Sequence, residues 1–493
     1  MNLAELLERA EPLAPAPAVP QVLGLDYDSR RIEPGFVFFA FPGERVDGHD
    51  FIPQALRAGA VAVVSERPAP AGDPTPWVQV RHGRRALAEA ALAFYDRPDR
   101  AVRLLGVTGT NGKTTTVYLI DSILRAAGHV TARLGTIGHT VGDQVVEAVN
   151  TTPESLDLVR LFARTREIGG SFATLEVSSH GLELGRIYGF EFLAGVFTNL
   201  SQDHLDFHGT MEAYARAKRR LFEGAGARPP RYGVINADDA VGRELLKLDG
   251  FERLSYAIER PAAIRSRRID SSFEGLRMEV DTPAGVLQIR SHLLGAFNVQ
   301  NILAAIGGGI AAGVEPRTIE EGVAALEAVP GRFETVREGQ PFVVAVDYAH
   351  TPDALDNVLR TAREIVGRKG RILTVFGCGG DRDRTKRPLM GESAGRGSDR
   401  VILTSDNPRT EDPLRILADA SIGLDRVDAN YVREADRRTA IERALREACP
   451  GDLVMIAGKG HETVQKVAGR TLPFDDREVA REMLQELRGV RRS

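Results

Sequence analysis

Leu104-Leu105-Gly106-Val107-Thr108-Gly109-Thr110-Asn111-Gly112-Lys113-Thr114-Thr115-Thr116 is the stretch from which the rest of the chain is read. An apolar run enters it, glycines turn it, and Val117-Tyr118-Leu119-Ile120 leaves it with helical apolar spacing. That is the strand, glycine-rich loop and helix of a phosphate-binding P-loop. Glycines let backbone N–H groups crowd an anion, and the helix N-terminus adds unpaired donors and a positive dipole end. Lys113 then reaches the β- and γ-phosphates, and the Thr114 hydroxyl is placed for Mg²⁺. Gly109, Thr110, Asn111, Gly112 and Thr115 complete the expected cradle. The strict pattern asks for glycine five residues before Gly112, where Val107 stands. What fits is the shorter form Gly109-x-x-Gly112-Lys113-Thr114. An ordinary turn before a helix does not explain the Gly-Lys-Thr placement.

The chain has 493 residues, enough for about three domains at roughly 150 residues each. Its 43% hydrophobic content builds real cores, and 27% charged residues keep it soluble. A net charge of −4 gives no bulk electrostatic reason to bind nucleic acid or a membrane surface. The two cysteines, Cys378 and Cys449, form no CxxC pattern, so neither a disulfide framework nor a cysteine zinc site is expected. Residues 1–9 read as a short amphipathic helix with internal acids, unlike a signal peptide. No apolar stretch approaches the ~20 residues that span a bilayer. The expectation is a soluble cytoplasmic protein.

Upstream of the P-loop, residues 1–98 form a first unit in which 35–40 and 60–64 read as buried strands. A helix is expected to start at Phe51, and the Pro-rich segment 66–76 reads as a surface loop. The polar turns 26–30 and 43–48 are candidate ligand loops. Residues 99–330 form the P-loop unit, with strands and helices alternating as in an open parallel sheet. Ala173-Thr174-Leu175-Glu176-Val177 is a strand ending on a carboxylate, which is costly to bury unless it is used. Asp203-His204-Leu205-Asp206-Phe207-His208 follows another strand; these groups are available for a metal. Residues 211–222 read as a helix whose Lys218 would by itself be a solvated side chain. Residues 265–289 read as a local β insertion. The unit 331–493 has strand candidates at 342–347, 371–377, 400–404 and 452–457, a Rossmann-like α/β alternation. The fold class is therefore α/β in three domains.

Six stretches in order carry a resemblance: Gly109–Thr114, Glu176–His180, Asn199–Asp206, Gly295-x-Phe297-Asn298-x-x-Asn301, Pro330–Glu334 and Asp347–Asp353. Together they resemble the Mur ligase family, ATP-dependent amino-acid ligases of peptidoglycan synthesis. Asp28-Ser29-Arg30, Asn150-Thr151-Thr152-Pro153, Asp406-Asn407-Pro408-Arg409 and Gly458-Lys459-Gly460-His461-Glu462 are similar to the branch that adds the third amino acid. The resemblance implies an N-terminal UDP-binding domain, a central ATP-binding domain and a C-terminal amino-acid-binding domain. It implies ATP and Mg²⁺ as cofactors, and UDP-N-acetylmuramoyl-L-alanyl-D-glutamate and meso-diaminopimelate as substrates.

By the same resemblance, Tyr27, Ser29 and the loop Glu44, Arg45, Val46 fall where the family holds UDP. Asn150, Thr151, Thr152, Ser178, Leu184 and Arg186 fall on the muramoyl-dipeptide contacts, although Leu184 stands where the family has glutamine. Thr114, Glu176 and His204 match Mg²⁺ positions, and Lys218 matches the lysine that CO₂ carboxylates. Asn301, Arg332 and Asp347 match contacts to ATP. Arg382, Asp406, Asn407, Pro408, Arg409, Gly458 and Glu462 match the amino-acid site. The implied catalytic set is Lys113, Lys218 and His204. Arg409 offers a planar fork suited to the distal carboxylate that distinguishes diaminopimelate from lysine. Addition of lysine or ornithine, a folylpolyglutamate-synthase-like ligase and a nucleotide switch without ligation are the alternatives.

Overall fold

The computed structural model describes the chain except for residues 20, 44, 45, 147, 149, 273 and 491–493. The expected UDP contacts Glu44 and Arg45 therefore lie outside the described residues. The chain divides into two compact units. The first holds Met1–Ser266, Val280–Leu287 and Gln300–Val323; the second holds Arg267–Glu279, Gln288–Val299 and Ala324–Ser493.

In the first unit, the strands Gly24–Asp26, Phe36–Ala40, Ala62–Ser65 and Trp77–Gln79 form a parallel sheet in chain order. The N-terminal helix is shorter than its amphipathic pattern suggests: only Leu3–Leu6 is helical, and Leu3, Leu6 and Leu7 are buried. The helix expected at Phe51 begins instead with a 3₁₀ turn, Gly48–Phe51, before Ile52–Arg57. Proline at position 53 suits that first helical turn, where its missing N–H is not needed.

The larger sheet of this unit includes, as consecutive neighbours, Glu252–Ala257, Tyr232–Asn236, Phe192–Phe197, Arg103–Thr108, Phe172–Glu176, Thr131–Gly135, Gly138–Val141 and Gln144–Val146. It is parallel as far as Thr131–Gly135 and antiparallel beyond. Its central strands are buried on both faces, which is why they read as unbroken apolar runs. Val107 lies inside the strand Arg103–Thr108 and is fully buried, paired with Glu176 and Val196. The turn therefore begins only at Gly109, which explains the missing glycine of the longer pattern. The helix Lys113–Ala126 leaves the loop, and Pro316–Ala325 packs closely on it. A Cβ at Gly322 would lie 2.4 Å from the Ile123 Cα, and Ser122 Oγ donates to the Gly322 carbonyl at 2.6 Å.

The second unit is built on a six-stranded sheet, Glu334–Thr335, Val343–Asp347, Leu453–Ala457, Ile372–Phe376, Arg400–Leu403, Tyr431–Arg433. Only the first pair is antiparallel. The last long strand is inserted between the first two long ones, so the connections leave the carboxyl edge in different directions, where ligands sit in such sheets. Asp347, Asp406–Arg409 and Gly458–Glu462 all follow that edge.

One fully buried ion pair ties this edge down. Arg437 bonds Asp476 through two N–H groups at 2.7 and 2.6 Å and also donates to the carbonyls of Ser405 and Ala457. Removing one partner strands the other charge in the interior, which costs about 3–5 kcal/mol. Asp476→Ala is accordingly expected to lower the urea midpoint of this unit by a corresponding amount. A loss under about 1 kcal/mol, the range of an exposed pair, would contradict the assignment.

Candidate active site

The phosphate cradle is held open by glycine and braced from the neighbouring strand. Gly109 and Gly112 take φ of +148° and +85°. A Cβ at Gly109 would lie 1.9 Å from Thr198 Oγ, and one at Gly112 2.2 Å from Asn301 Oδ1. Asn301 thus abuts the loop. Thr198 Oγ donates to the Asn111 carbonyl at 2.6 Å, Thr110 N–H donates to the Asn199 carbonyl at 2.8 Å, and Asn111 N–H donates to Asn199 Oδ1 at 3.0 Å. Thr114 and Thr115 are buried at the helix start. Lys113 Nζ curls back to the carbonyls of Gly109 and Thr110, at 2.9 and 2.7 Å, so a cation already stands in the cradle.

A second cation meets the same atom. Lys218, on the helix Met211–Glu223, is 1% exposed and donates to the Gly109 carbonyl at 2.7 Å. It is not the solvated side chain that its sequence context suggests. Its Nζ lies 4.3 Å from the centre of the Tyr214 ring, whose hydroxyl is 3.2 Å from Thr110 Oγ. Burial, and then the charge of Lys113, push the Lys218 ammonium well below its ordinary range.

Beside them, His180 packs against His204 and His208 with ring centres 4.8 and 5.6 Å away. His204 adopts φ of +51° and pairs with Asp203 at 3.4 Å. Burial lowers the pKa of both His204 and His208, with the like charge of His180 adding to it, so the rings are neutral at neutral pH. Glu176 is 2% exposed and accepts from Thr136 N–H and Oγ at 2.9 and 3.1 Å. From Thr136 the network continues to Thr151 Oγ at 3.1 Å. Thr152 Oγ donates to the Glu176 carbonyl and accepts from Ser178 N–H, and Arg186 donates to the Thr152 carbonyl and to Glu154. Thr151, Thr152, Ser178, Arg186 and Glu176 therefore form one cluster. Asn150 is exposed on the adjoining loop, and Leu184 is half-buried at the end of the helix Ser179–Glu183.

Among the described residues no group of three His, Cys, Asp or Glu side chains forms a ready metal cage. The Thr114 hydroxyl and Glu176 carboxylate are nevertheless hard oxygen donors of the kind Mg²⁺ takes, and His204 is a neutral imidazole. By donor chemistry alone the Thr114 and Glu176 oxygens suit the ion.

Tyr27 and Ser29 sit on the turn after the first strand, which Asp28 caps through the Arg30 N–H. The Tyr27 hydroxyl donates to Asp157 on the helix Ser155–Glu167, and Arg31 also pairs with Asp157. Fully buried Asp26 is held by Arg31 and Arg160. Sequence reading did not find Asp157 or Arg160, because a charge on a helix face ordinarily faces water. Val46 is exposed.

In the second unit, Asp347 accepts from the N–H groups of Phe333 and Ala349, and burial raises its pKa. The Arg332 guanidinium lies 5.4 Å from the Tyr348 ring centre. The stretch Asp406–Arg409 is not a solvated turn. Asn407 is 5% exposed, Pro408 is buried, and burial raises the pKa of Asp406. Arg409 adopts φ of +55°, a strained conformation for a side-chain-bearing residue. It is pinned by N–H and C=O bonds to Lys466 and Ala468 on the hairpin that follows. Its Nη1 donates to the Gly380 carbonyl at 2.6 Å, and exposed Arg382 flanks the same loop. A Cβ at Gly458 would lie 2.6 Å from Asp406 Oδ2. Glu462 accepts from Asn407 Nδ2 at 2.8 Å and from Lys459 Nζ at 3.1 Å, both through Oε2.

Comparisons with known proteins agree along the whole chain. Family descriptions match in three consecutive segments: "Mur ligase family, catalytic domain" over residues 21–95, "Mur ligase middle domain" over 107–309, and "Mur ligase, glutamate ligase domain" over 331–460. The UDP-N-acetylmuramoyl-L-alanyl-D-glutamate–2,6-diaminopimelate ligase of Solibacter usitatus is 55% identical over 487 residues, 98% of each chain. That of Geobacillus thermodenitrificans is 47% identical over 473 residues, 95% of this chain and 96% of its own. A solved structure of a ligase of the same name superposes with a TM-score of 0.70 at 37% identity, covering 95% of both chains. Mycobacterium tuberculosis folylpolyglutamate synthase complexed with ADP shares the fold over 76% of this chain and 91% of its own, at TM-score 0.60 and 18% identity.

The cradle yields a direct test. Gly112→Ala places a methyl on Asn301 and forces a left-handed residue, so ADP affinity is expected to fall at least about tenfold, the equivalent of about 1.4 kcal/mol. Unchanged affinity in a folded variant, measured by calorimetric titration, would show that the loop does not hold the nucleotide.

Proposed function

This chain belongs to the Mur ligase family, and we propose that it joins meso-diaminopimelate to the D-glutamate side chain of UDP-N-acetylmuramoyl-L-alanyl-D-glutamate at the expense of ATP. The observation that carries the choice of amino acid is Arg409. It stands on a buried, strained loop at the carboxyl edge of the sheet, with its fork fixed beside Gly380. The relatives named for this substrate support the same choice.

In the proposed reaction the glutamyl carboxylate takes the γ-phosphoryl group of ATP, and ADP leaves. The resulting acyl phosphate is attacked by the amine of diaminopimelate; the tetrahedral adduct collapses to amide and inorganic phosphate, and the amine proton is lost to solvent. Such transfer depends on positioning and charge neutralisation. Lys113 supplies the cation at the phosphates, backed by the N–H groups of Gly109–Thr115. Asn301, Arg332 and Asp347 orient the nucleotide. Asn150, Thr151, Thr152, Ser178, Leu184 and Arg186 orient the dipeptide, and Tyr27, Ser29 and Val46, with Glu44 and Arg45, the UDP group. Arg382, Asp406–Arg409, Gly458 and Glu462 take the amino acid. Mg²⁺, held by Thr114, Glu176, His204 and Lys218, would neutralise developing phosphate charge.

Lys218 serves in that set only as its carbamate. The depressed pKa supports this role: the neutral amine adds CO₂ and releases a proton, turning a cation into an oxygen donor. In this reading the domains are 1–98, 99–330 and 331–493. No helix among the described residues is long and apolar enough to cross a membrane. We place the enzyme in the cytoplasm, acting as a monomer.

Two results test the proposal. Phosphate release with the UDP-dipeptide is expected to favour meso-diaminopimelate over lysine or ornithine by at least about a hundredfold in kcat/KM, since an unpaired buried fork costs a few kcal/mol. Arg409→Ala should remove most of that preference; comparable kcat/KM values in the unmodified enzyme would overturn the assignment. Separately, Lys218→Ala should be nearly inactive and partly rescued by a short carboxylic acid. A fully active Lys218→Ala enzyme would rule out the carbamate.

A further inference from the structure

Lys459 lies on the amino-acid loops, and two of its three side-chain hydrogen bonds reach other recognition groups. Its side chain is 0% exposed. Its three protons have three acceptors: the Val464 carbonyl at 2.6 Å, Glu462 Oε2 at 3.1 Å and Asn407 Oδ1 at 3.4 Å. Asn407 is fixed from its other side as well, since Oδ1 accepts the Lys466 N–H at 2.9 Å and Nδ2 donates to Glu462 Oε2 at 2.8 Å. Both donors thus engage one oxygen of Glu462, Oε2, while the Glu462 side chain is 31% exposed. A buried ammonium is costly unless paired, and here the pairing spans the two loops that follow separate strands.

We propose that Lys459 is a positioning residue for amino-acid recognition, holding Asn407 and Glu462 so that the Glu462 carboxylate faces the ammonium group of the incoming amino acid. This rests on the reading above that Asn407 and Glu462 belong to the amino-acid site. The pair also keeps the carboxylate ionised. Burial alone would raise the pKa of Glu462, but the Asn407 hydrogen bond and the Lys459 charge outweigh it and hold it below its ordinary value. Tyr348, after the strand Val343–Asp347, and His461, the residue before Glu462, act on it electrostatically as further titratable groups, as do buried Asp406 and Arg437.

The test is a double-mutant cycle of Lys459→Met and Glu462→Gln, read as KM for diaminopimelate and for ATP in the full-length enzyme. Lys459→Met is expected to raise KM for diaminopimelate at least about tenfold and leave KM for ATP within about twofold. In the Glu462→Gln background the same change should add less than about threefold, because its effect passes through that carboxylate. Full additivity, or an equal rise in both KM values, would mean a merely structural lysine and overturn the inference. If Glu462→Gln leaves KM for diaminopimelate unchanged, the assignment of Glu462 fails and the inference falls with it. The unsubstituted enzyme supplies an arm that needs no folded variant. A carboxylate held below the ordinary value of about 4.3 keeps KM for diaminopimelate flat between about pH 8 and pH 6. A rise across that range that Glu462→Gln abolishes would overturn the inference.

Discussion

Two ammonium groups share one backbone carbonyl, that of Gly109, and the centre of the first unit is arranged around that fact. Like charges this close, in a buried setting, cannot both stay ionised without cost, and the more buried one, Lys218, is driven toward the neutral amine. The loop that brings them together exists only because Gly109 and Gly112 take conformations, and leave gaps, that no side chain permits. Thr198 and Asn199 brace it from one side and Tyr214 from the other. A polyanionic ligand and an anionic lysine would each relieve the crowding, which gives the neutral amine a chemical purpose.

The second unit solves a different problem, holding charged loops at a sheet edge without letting them relax into solvent. Three buried cations do this. Arg437 ties the strand ends at Ser405 and Ala457 to Asp476. Arg387 joins Glu411 and Asp419 and also donates to the Gly379 carbonyl. Lys459 joins Asn407 to Glu462. The strained backbone of Arg409 persists because the surrounding bonds leave it no alternative.

Much of this was legible in the sequence. The apolar runs of 103–108, 343–347, 372–376 and 453–457 are buried strands, and the Gly-Lys-Thr turn marks the loop correctly despite Val107. Two features were not legible from local pattern. Lys218 looks like a surface lysine because sequence periodicity cannot report what packs over a polar face. Asp157 and Arg160 act on residues more than 120 positions away, a pairing that only the folded chain supplies. The division at 98 and 330 followed from length and from the alternation of strands and helices; in the folded chain the first strands group with the P-loop sheet in one compact unit.

The central claim is that this scaffold activates a carboxylate by phosphoryl transfer before an amine attacks it. The most direct measurement uses UDP-N-acetylmuramoyl-L-alanyl-D-glutamate carrying ¹⁸O in the side-chain carboxylate of its glutamate, with ATP and diaminopimelate, and determines the mass of the phosphate released. Transfer of one labelled oxygen into each phosphate, and no phosphate without the dipeptide, is the result expected. Unlabelled phosphate formed alongside product, or ATP turnover independent of the dipeptide, would contradict the account.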